Sequence, residues 1–172
     1  IDKIEREIEN VQAGKEGRII VKVNSLIDTQ LIQALYRASQ AGVKIDCIVR
    51  GMCRLRPGVE GVSEHIHVRS IVGRFLEHTR VFYFFNAGDE EVYASSADWM
   101  ERNMFNRVEA CFPIELKAIR DQVKQDLEWY LQDNSQAWIL QSDGSYLLPE
   151  LLEGEEPFNA QQALLDSLAG HA

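Results

Sequence analysis

The chain has 172 residues, of which 45% are hydrophobic, enough for one ordinary domain with its own core rather than a disordered segment. No apolar run approaches the roughly 18 residues that cross a bilayer, so we expect no transmembrane segment. The formal net charge is −9, but it divides into −2 for residues 1–17, +2 for residues 18–107 and −9 for residues 108–172. The slightly basic central block is therefore compatible with phosphate binding. Three scattered cysteines and no secretion signal indicate a cytoplasmic protein.

The first half of the chain predicts a leading helix and then a β-α-β unit. Ile4 and Ile8 lie at helical spacing, and we interpret residues 1–17 as a connecting helix from an absent upstream domain. A turn then offers Asp28 as the N-cap of the next helix. The predicted elements are a helix over 2–12, a strand over 18–23, a helix over 31–40 and a strand over 44–51.

The second half continues this alternation. Period-two patterns predict strands over 66–72, 80–85, 91–96 and 107–112, the middle two forming a hairpin through the turn 86–89. Helices are predicted over 74–78, over 97–103 with Ser96 or Asp98 as a cap, and from Pro113 to about 132. Asp143-Gly144 between apolar runs predicts a second hairpin, and an amphipathic helix follows around 160–169. His171 belongs to the tail.

This order of elements predicts an α/β fold, a mixed β-sheet flanked by helices. We assign residues 18–135 to the main domain and residues 136–172 to an acidic C-terminal appendage of hairpin and helix. Because acidic side chains repel anionic ligands, we expect this appendage to lie away from any phosphate site.

Two segments offer side chains that suit phosphate chemistry. His78 lies at a strand entrance with Arg80 on the same face, where an imidazole beside guanidinium groups could transfer protons to phosphoryl oxygens. A surface or core-edge histidine is the competing interpretation. Arg50 follows the second strand, where ligands collect in open α/β sheets, and Gly51 allows close backbone approach. A solvated loop arginine remains the alternative.

The predicted strand over 107–112 places Arg107 and Glu109 on one face. Opposite charges inside an apolar strand are costly to bury unless they are paired, so we expect them to line a cleft. Glu109 could hold an imidazole in one tautomer, and a structural ion pair is the competing interpretation. The sequence contains no glycine-rich phosphate loop and no metal-spaced Cys/His cluster.

Together these segments resemble the C-terminal phospholipase-D-like domain of bacterial polyphosphate kinase. The matching stretches are GRIIVKVNSLID (17–28), IVRGMCRL (48–55), VRSIVGRFLEHTRVFYF (68–84), VYASSADWMERN (92–103) and RVEACFPI (107–114). The resemblance implies reversible transfer of the ATP terminal phosphate to inorganic polyphosphate through a phosphohistidine on the absent upstream domain. The fragment alone is expected to be inactive, since only part of the active site lies in this chain.

The resemblance also implies roles for individual residues. His78 corresponds to the family's second histidine, an acid/base or orienting group, and Glu109 orients it. Arg50, Arg80 and Arg107, together with His78, contact ATP or transferring phosphate. Mg²⁺ is the implied cofactor, with its ligands outside this chain. The implied partners are ATP/ADP, polyphosphate and the enzyme's upstream domains, in a homo-oligomer that does not bind nucleic acid and, at full length, could associate with a membrane.

Two other functions remain open at this point. A phospholipase-D-like phosphodiesterase or nuclease would use His78 as half of a two-histidine site, but Arg80 and Phe85 stand where that motif requires lysine and aspartate. A non-catalytic polyphosphate-binding module would bind the anion without turnover.

Overall fold

The computed structural model describes residues 1–170, and His171 and the end of the predicted appendage lie outside this part. In chain order the elements are α1 (Asp2–Gln12), β1 (Arg18–Val23), α2 (Thr29–Gln40), β2 (Lys44–Val49), β3 (Ile66–Ile71), β4 (Val81–Phe84), a 3-10 turn (Asn86–Gly88), β5 (Glu91–Ser95), α3 (Glu101–Phe105), β6 (Cys111–Pro113), α4 (Lys117–Gln132), β7 (Ala137–Leu140), β8 (Tyr146–Leu147) and α5 (Ala160–Ala169). None of the helices in residues 1–170 is long and apolar enough to cross a membrane.

The strands form one mixed sheet in the order β6-β5-β4-β1-β2-β3-β7-β8. The three central strands β1, β2 and β3 are parallel, and every other pairing is antiparallel. Helices cover both faces of this sheet, as the sequence predicted. The fold is therefore a mixed α/β sandwich whose centre is the predicted β-α-β unit.

Period-two alternation along β1 separates the two faces. Ile19, Val21 and Val23 pack into the larger apolar core, which α1 and α2 cover. Ile20 points to the other face and packs with Leu127 of α4 in a smaller core. Lys22 lies on this second face too, with its ammonium group 4.8 Å from the centre of the Tyr130 ring.

Several local predictions are confirmed residue by residue. Strand β1 spans the predicted residues 18–23, and the side chain of Asp28 caps α2 by accepting a hydrogen bond from the Leu31 amide at 3.0 Å. Strands β4 and β5 form the predicted hairpin, and β7 and β8 form the second one around Gly144.

Four predicted elements are wrong in extent or type. Residues 74–78 are not helical, because the main chain of Phe75 is bonded to the side chain of Gln161. The strand over 107–112 is reduced to Cys111–Pro113, since Ala110 pairs with Ser96 through side-chain and backbone bonds.

Helix α4 begins at Lys117 rather than Pro113, which lies on the edge strand β6, where its missing N–H is tolerated. The short helix α3 begins after Met100, so neither Ser96 nor Asp98 caps it.

Candidate functional site

The sheet topology gathers polar side chains at one edge. Parallel strands end at the same edge, so Asn24 after β1 and Arg50 after β2 are neighbours there. Strand β4 runs antiparallel to β1 and therefore starts at that edge, where Arg80 precedes it. Strand β5 returns to the same edge, and Asp98 follows it.

The carboxylate of Asp98 holds several groups of this edge in place by hydrogen bonds. Its carboxylate accepts hydrogen bonds from the backbone amides of Asn24 at 2.7 Å and Ser25 at 3.2 Å. Arg80 donates to both carboxylate oxygens, from Nε at 3.2 Å and from Nη2 at 3.1 Å. Burial alone would raise the pKa of Asp98, but the bonds from Arg80 and the Asn24 amide lower it below its usual value. Asp98, which the sequence suggested as a helix cap, instead fixes Arg80 at the predicted site.

Arg50 is fixed by one nitrogen only. Its Nε donates to the side-chain oxygen of Asn24 at 3.1 Å, and no hydrogen bond within residues 1–170 uses its two terminal nitrogens. Gly51 holds this arrangement, because its amide donates to the Asn24 carbonyl at 2.7 Å and an added Cβ would lie 2.9 Å from that oxygen. The terminal nitrogens of Arg50 are therefore available to an anion in a cleft of about 460 Å³ that Glu77 also lines.

His78 lies in the irregular segment between β3 and β4, and its side chain is exposed. Its carbonyl oxygen accepts a hydrogen bond from Nη1 of Arg80 at 3.3 Å. The residue lines a second cleft, of about 310 Å³, together with Tyr130 and apolar side chains of α5. Arg80 thus contacts the backbone of His78, and Arg50 is linked to Arg80 through Asn24 and Asp98. Arg50 and His78 line two different clefts, which share Glu77.

Lys22 is a member of this region that the sequence prediction missed. Its Nζ lies 2.7 Å from Oγ1 of Thr79 and 2.9 Å from Oε2 of Glu77, and both Lys22 and Glu77 are buried. Burial lowers the pKa of Lys22, and the nearby Arg50 and Arg80 act in the same direction, while Glu77 opposes them. The sequence did contain a signal for Lys22, because a lysine within the apolar run RIIVKV is costly to bury unless it is paired. The same argument selected Arg107 and Glu109.

Glu109 and Arg107 lie beside this cluster rather than within it. The Glu109 carboxylate accepts hydrogen bonds from the side chains of Ser96 and Asn103, which lower its pKa. Arg107 is exposed, and both it and Arg80 contribute to that lowering through their charge. No hydrogen bond joins Glu109 to His78 among residues 1–170, so the orienting role of Glu109 stays a prediction.

The C-terminal appendage was expected to lie away from the site, and for α5 this expectation is wrong. Gln161 on α5 contacts Phe75 and Glu77, and Leu164, Leu165 and Leu168 line the cleft that contains His78. The reason is that α5 carries a single acidic residue and an apolar stripe, whereas the acidic residues 150–156 lie before it. The division of the chain at residues 135 and 136 stays a prediction, since β7 continues the sheet beside β3.

Two further features of the described residues bear on the choice of a candidate site. A strongly apolar cavity of about 480 Å³ lies near α1, Phe82 and Trp99, and it is lined by none of the arginines or His78. Within residues 1–170, no group of three or more His, Cys, Asp or Glu side chains is placed to hold a metal ion. We take the edge that carries Arg50, His78 and Arg80 as the candidate site, because guanidinium and imidazole groups suit an anionic ligand.

Comparisons with known proteins show the family to which the chain belongs. A family model described as "Polyphosphate kinase C-terminal domain 2" matches residues 1–161. The polyphosphate kinase of Pseudomonas aeruginosa is 57% identical over 169 residues, which are 98% of this chain and 24% of that relative. That of Neisseria meningitidis is 53% identical over 171 residues, 99% of this chain and 25% of the relative. The chain thus spans about a quarter of the length of these curated relatives.

Solved structures give the same result. The polyphosphate kinase from Porphyromonas gingivalis superposes with a TM-score of 0.95 at 44% identity, covering 99% of this chain and 26% of that one. A Nuc protein of the phospholipase D family from Salmonella typhimurium gives a TM-score of 0.56 at 14% identity, covering 79% of this chain and 89% of that one, which shows the fold alone. The kinase interpretation is favoured over the phosphodiesterase alternative. The chain belongs to the polyphosphate kinase C-terminal domain 2 family, on a phospholipase-D-like fold.

Proposed function

We propose that this chain supplies one side of the active site of a polyphosphate kinase, which reversibly transfers the terminal phosphoryl group of ATP to inorganic polyphosphate. The observation that supports this most is the placement of Arg50, His78 and Arg80 at one sheet edge, in a chain of this family. Phosphoryl transfer is catalysed mainly by positioning and by stabilising negative charge, and guanidinium groups suit both tasks.

The proposal gives each residue a distinct task. Arg50 neutralises phosphate oxygens with its free terminal nitrogens, and Arg80 adds positive potential from a fixed position on Asp98. Such preorganised charges contribute roughly 3–4 kcal/mol each in comparable sites. His78 serves as an acid/base or orienting group opposite a phosphohistidine on another part of the enzyme. Arg107, which is exposed beside Glu109, contributes at the periphery.

The residues described do not fit a dedicated metal site, so no step of this proposal passes through a metal ion held by this chain. We propose that Mg²⁺ enters with ATP and that its protein ligands lie outside the chain. The full enzyme is further proposed to be a cytoplasmic homo-oligomer that does not bind nucleic acid. The isolated chain should bind polyphosphate without turning it over.

The test uses the full-length protein that contains this chain, with ATP labelled at the γ-phosphate and Mg²⁺. His78→Ala should lower polymer formation by at least about a hundredfold, the usual contribution of a positioned acid or base. His65→Ala is the matched control, because His65 is exposed at the other end of β3 and should retain full activity. No polymer from the unaltered protein would refute the proposed reaction, and full activity of His78→Ala would refute the assignment of the site.

A further inference from the structure

The segment that carries His78 has no secondary structure of its own, so something else must fix it. Residues 74–79 contain no helix or strand, and His78, Phe75 and Leu76 are exposed. A side chain that takes part in phosphoryl transfer must be held within a fraction of an ångström of its working position. The contacts that anchor this segment therefore bear on the reaction.

Lys22 anchors the two residues that flank His78. Its Nζ bonds Oγ1 of Thr79 at 2.7 Å and Oε2 of Glu77 at 2.9 Å, and the ammonium also faces the ring of Tyr130. One buried cation thus holds the chain immediately before and immediately after His78.

Gln161 of α5 holds the same segment from the opposite side. Its Nε2 donates to Oε1 of Glu77 at 2.7 Å and to the carbonyl oxygen of Phe75 at 2.8 Å, and its Oε1 accepts from the amide of Phe75 at 3.0 Å. Gly73 allows this approach, because a Cβ there would lie 2.6 Å from Oε1 of Gln161. The Gln161 side chain is 4% exposed, and these three bonds use both ends of its amide.

We propose that Lys22 and Gln161 are positioning residues for His78, so that helix α5 of the C-terminal appendage is a working part of the active site. The expected effect on the reaction rate rests on the proposed function. The expected effect on the order of the segment 74–79 rests only on the contacts described above. Arg50 is held by Asn24 and not by this anchor. Loosening the anchor should therefore lower kcat more than it raises KM for ATP.

The test compares Gln161→Met with Gln162→Met in the full-length protein. Methionine keeps the volume of Gln161 and removes all three bonds without burying a charge. Gln162 is the exposed neighbour on the same helix, and within residues 1–170 its side chain bonds only Asp166. In Gln161→Met, kcat should fall by roughly tenfold to a hundredfold, as for other small displacements of a reacting group.

Hydrogen exchange supplies a readout that does not depend on activity. The amide of Phe75, which donates to Oε1 of Gln161, should exchange faster in Gln161→Met while the amides of β1 and β2 are unchanged, and Gln162→Met should match the unaltered protein in both measurements.

Unchanged exchange in Gln161→Met, or faster exchange with full activity, would overturn the proposal. If the unaltered protein makes no polymer, the proposed function fails, and the exchange comparison alone decides whether Gln161 anchors the segment.

Discussion

The two faces of the sheet differ in what their helices cover. On the α1 and α2 face, Ile19, Val21 and Val23 of β1 enter a continuous apolar core. On the α4 and α5 face, Ile20 is followed by Lys22, which forms a buried ion pair with Glu77 beneath the segment of His78. Both sets of side chains come from one six-residue strand.

Alternate residues of one strand therefore serve stability and function separately. The odd positions of β1 bury hydrocarbon, which favours folding whatever happens at the sheet edge. The even positions end with Lys22, whose buried charge is stabilised only while the carboxylate of Glu77 is present. A substitution on the face of Lys22 should therefore change both stability and activity, whereas one on the face of Ile19, Val21 and Val23 should change stability alone. Four variants, described from the largest expected effect to the smallest, examine this difference.

The largest effect is expected from Lys22→Met, because it leaves the carboxylate of Glu77 buried without its cation. The cost should be about 3–5 kcal/mol of unfolding free energy, the usual result of breaking a buried ion pair from one side. The double variant Lys22→Met/Glu77→Gln should recover most of that free energy in denaturant unfolding, since no buried charge remains. It should not recover activity if the pair positions His78. Equal losses in the single and double variants would show that the pair is not the cause.

Leu35→Ala probes the other face. Leu35 of α2 is fully buried, so its truncation should cost about 3 kcal/mol in denaturant unfolding. Because Leu35 packs in the core on the α1 and α2 face, away from the α4 and α5 face that carries Lys22, kcat of the folded fraction should be unchanged. Ile119→Ala on α4 is the control for truncation itself, and this half-exposed residue should cost much less. A selective loss of kcat in Leu35→Ala would contradict the division between faces.

A smaller, pH-dependent effect is expected at Glu91, which ties α1 to β5. Its carboxylate bonds Arg6 at 2.9 Å and Lys3 at 2.6 Å, and the bond from Arg6 is the main cause that lowers the pKa of Glu91 to about 2. This stabilisation is complete above pH 4.5 and is lost as the pH falls through about 2. Glu91→Gln should therefore cost on the order of 1 kcal/mol at pH 7, after solvent screening, and the difference should vanish between pH 4.5 and 2. A difference that persists at pH 2 would be inconsistent with this linkage.

The smallest effect is expected from Lys117→Ala at the start of α4. Lys117 pairs with Asp121 one turn later, but both side chains are exposed, and such pairs contribute little. Thermal unfolding and activity should both match those of the unaltered protein. A clear loss of activity would show that this end of α4 belongs to the working surface.

The sequence predicted the centre of this fold better than its margins. The β-α-β unit was predictable because an apolar run, the Asp28 cap and Gly42 all indicate the same boundaries. Residues 107–116 were not, because the edge strand there is short and Ser96 replaces part of its pairing. The helix predicted over 74–78 failed because the partner that holds Phe75 is distant in sequence.

The sequence selected Arg50, His78 and Arg80, whose roles stay predictions, but it did not select the side chains that hold them in place. Arg50, His78 and Arg80 follow from strand-end positions and from the family resemblance. Lys22 carried a visible signal as a charge in an apolar strand. The roles of Asp98 and Gln161 depend on contacts made across the fold. Asp98 is 18 residues from its partner Arg80, and Gln161 is 84 residues from its partner Glu77. Local pattern contains no information on such pairs.

The position of bound phosphate in the full-length protein decides whether this sheet edge is part of the active site. A structure with a non-hydrolysable ATP analogue or a short polyphosphate would provide it. We predict phosphate oxygens within about 3 Å of the terminal nitrogens of Arg50 and of the His78 ring, beside Arg80. Phosphate bound elsewhere, with Arg50 and His78 facing only solvent, would contradict the account.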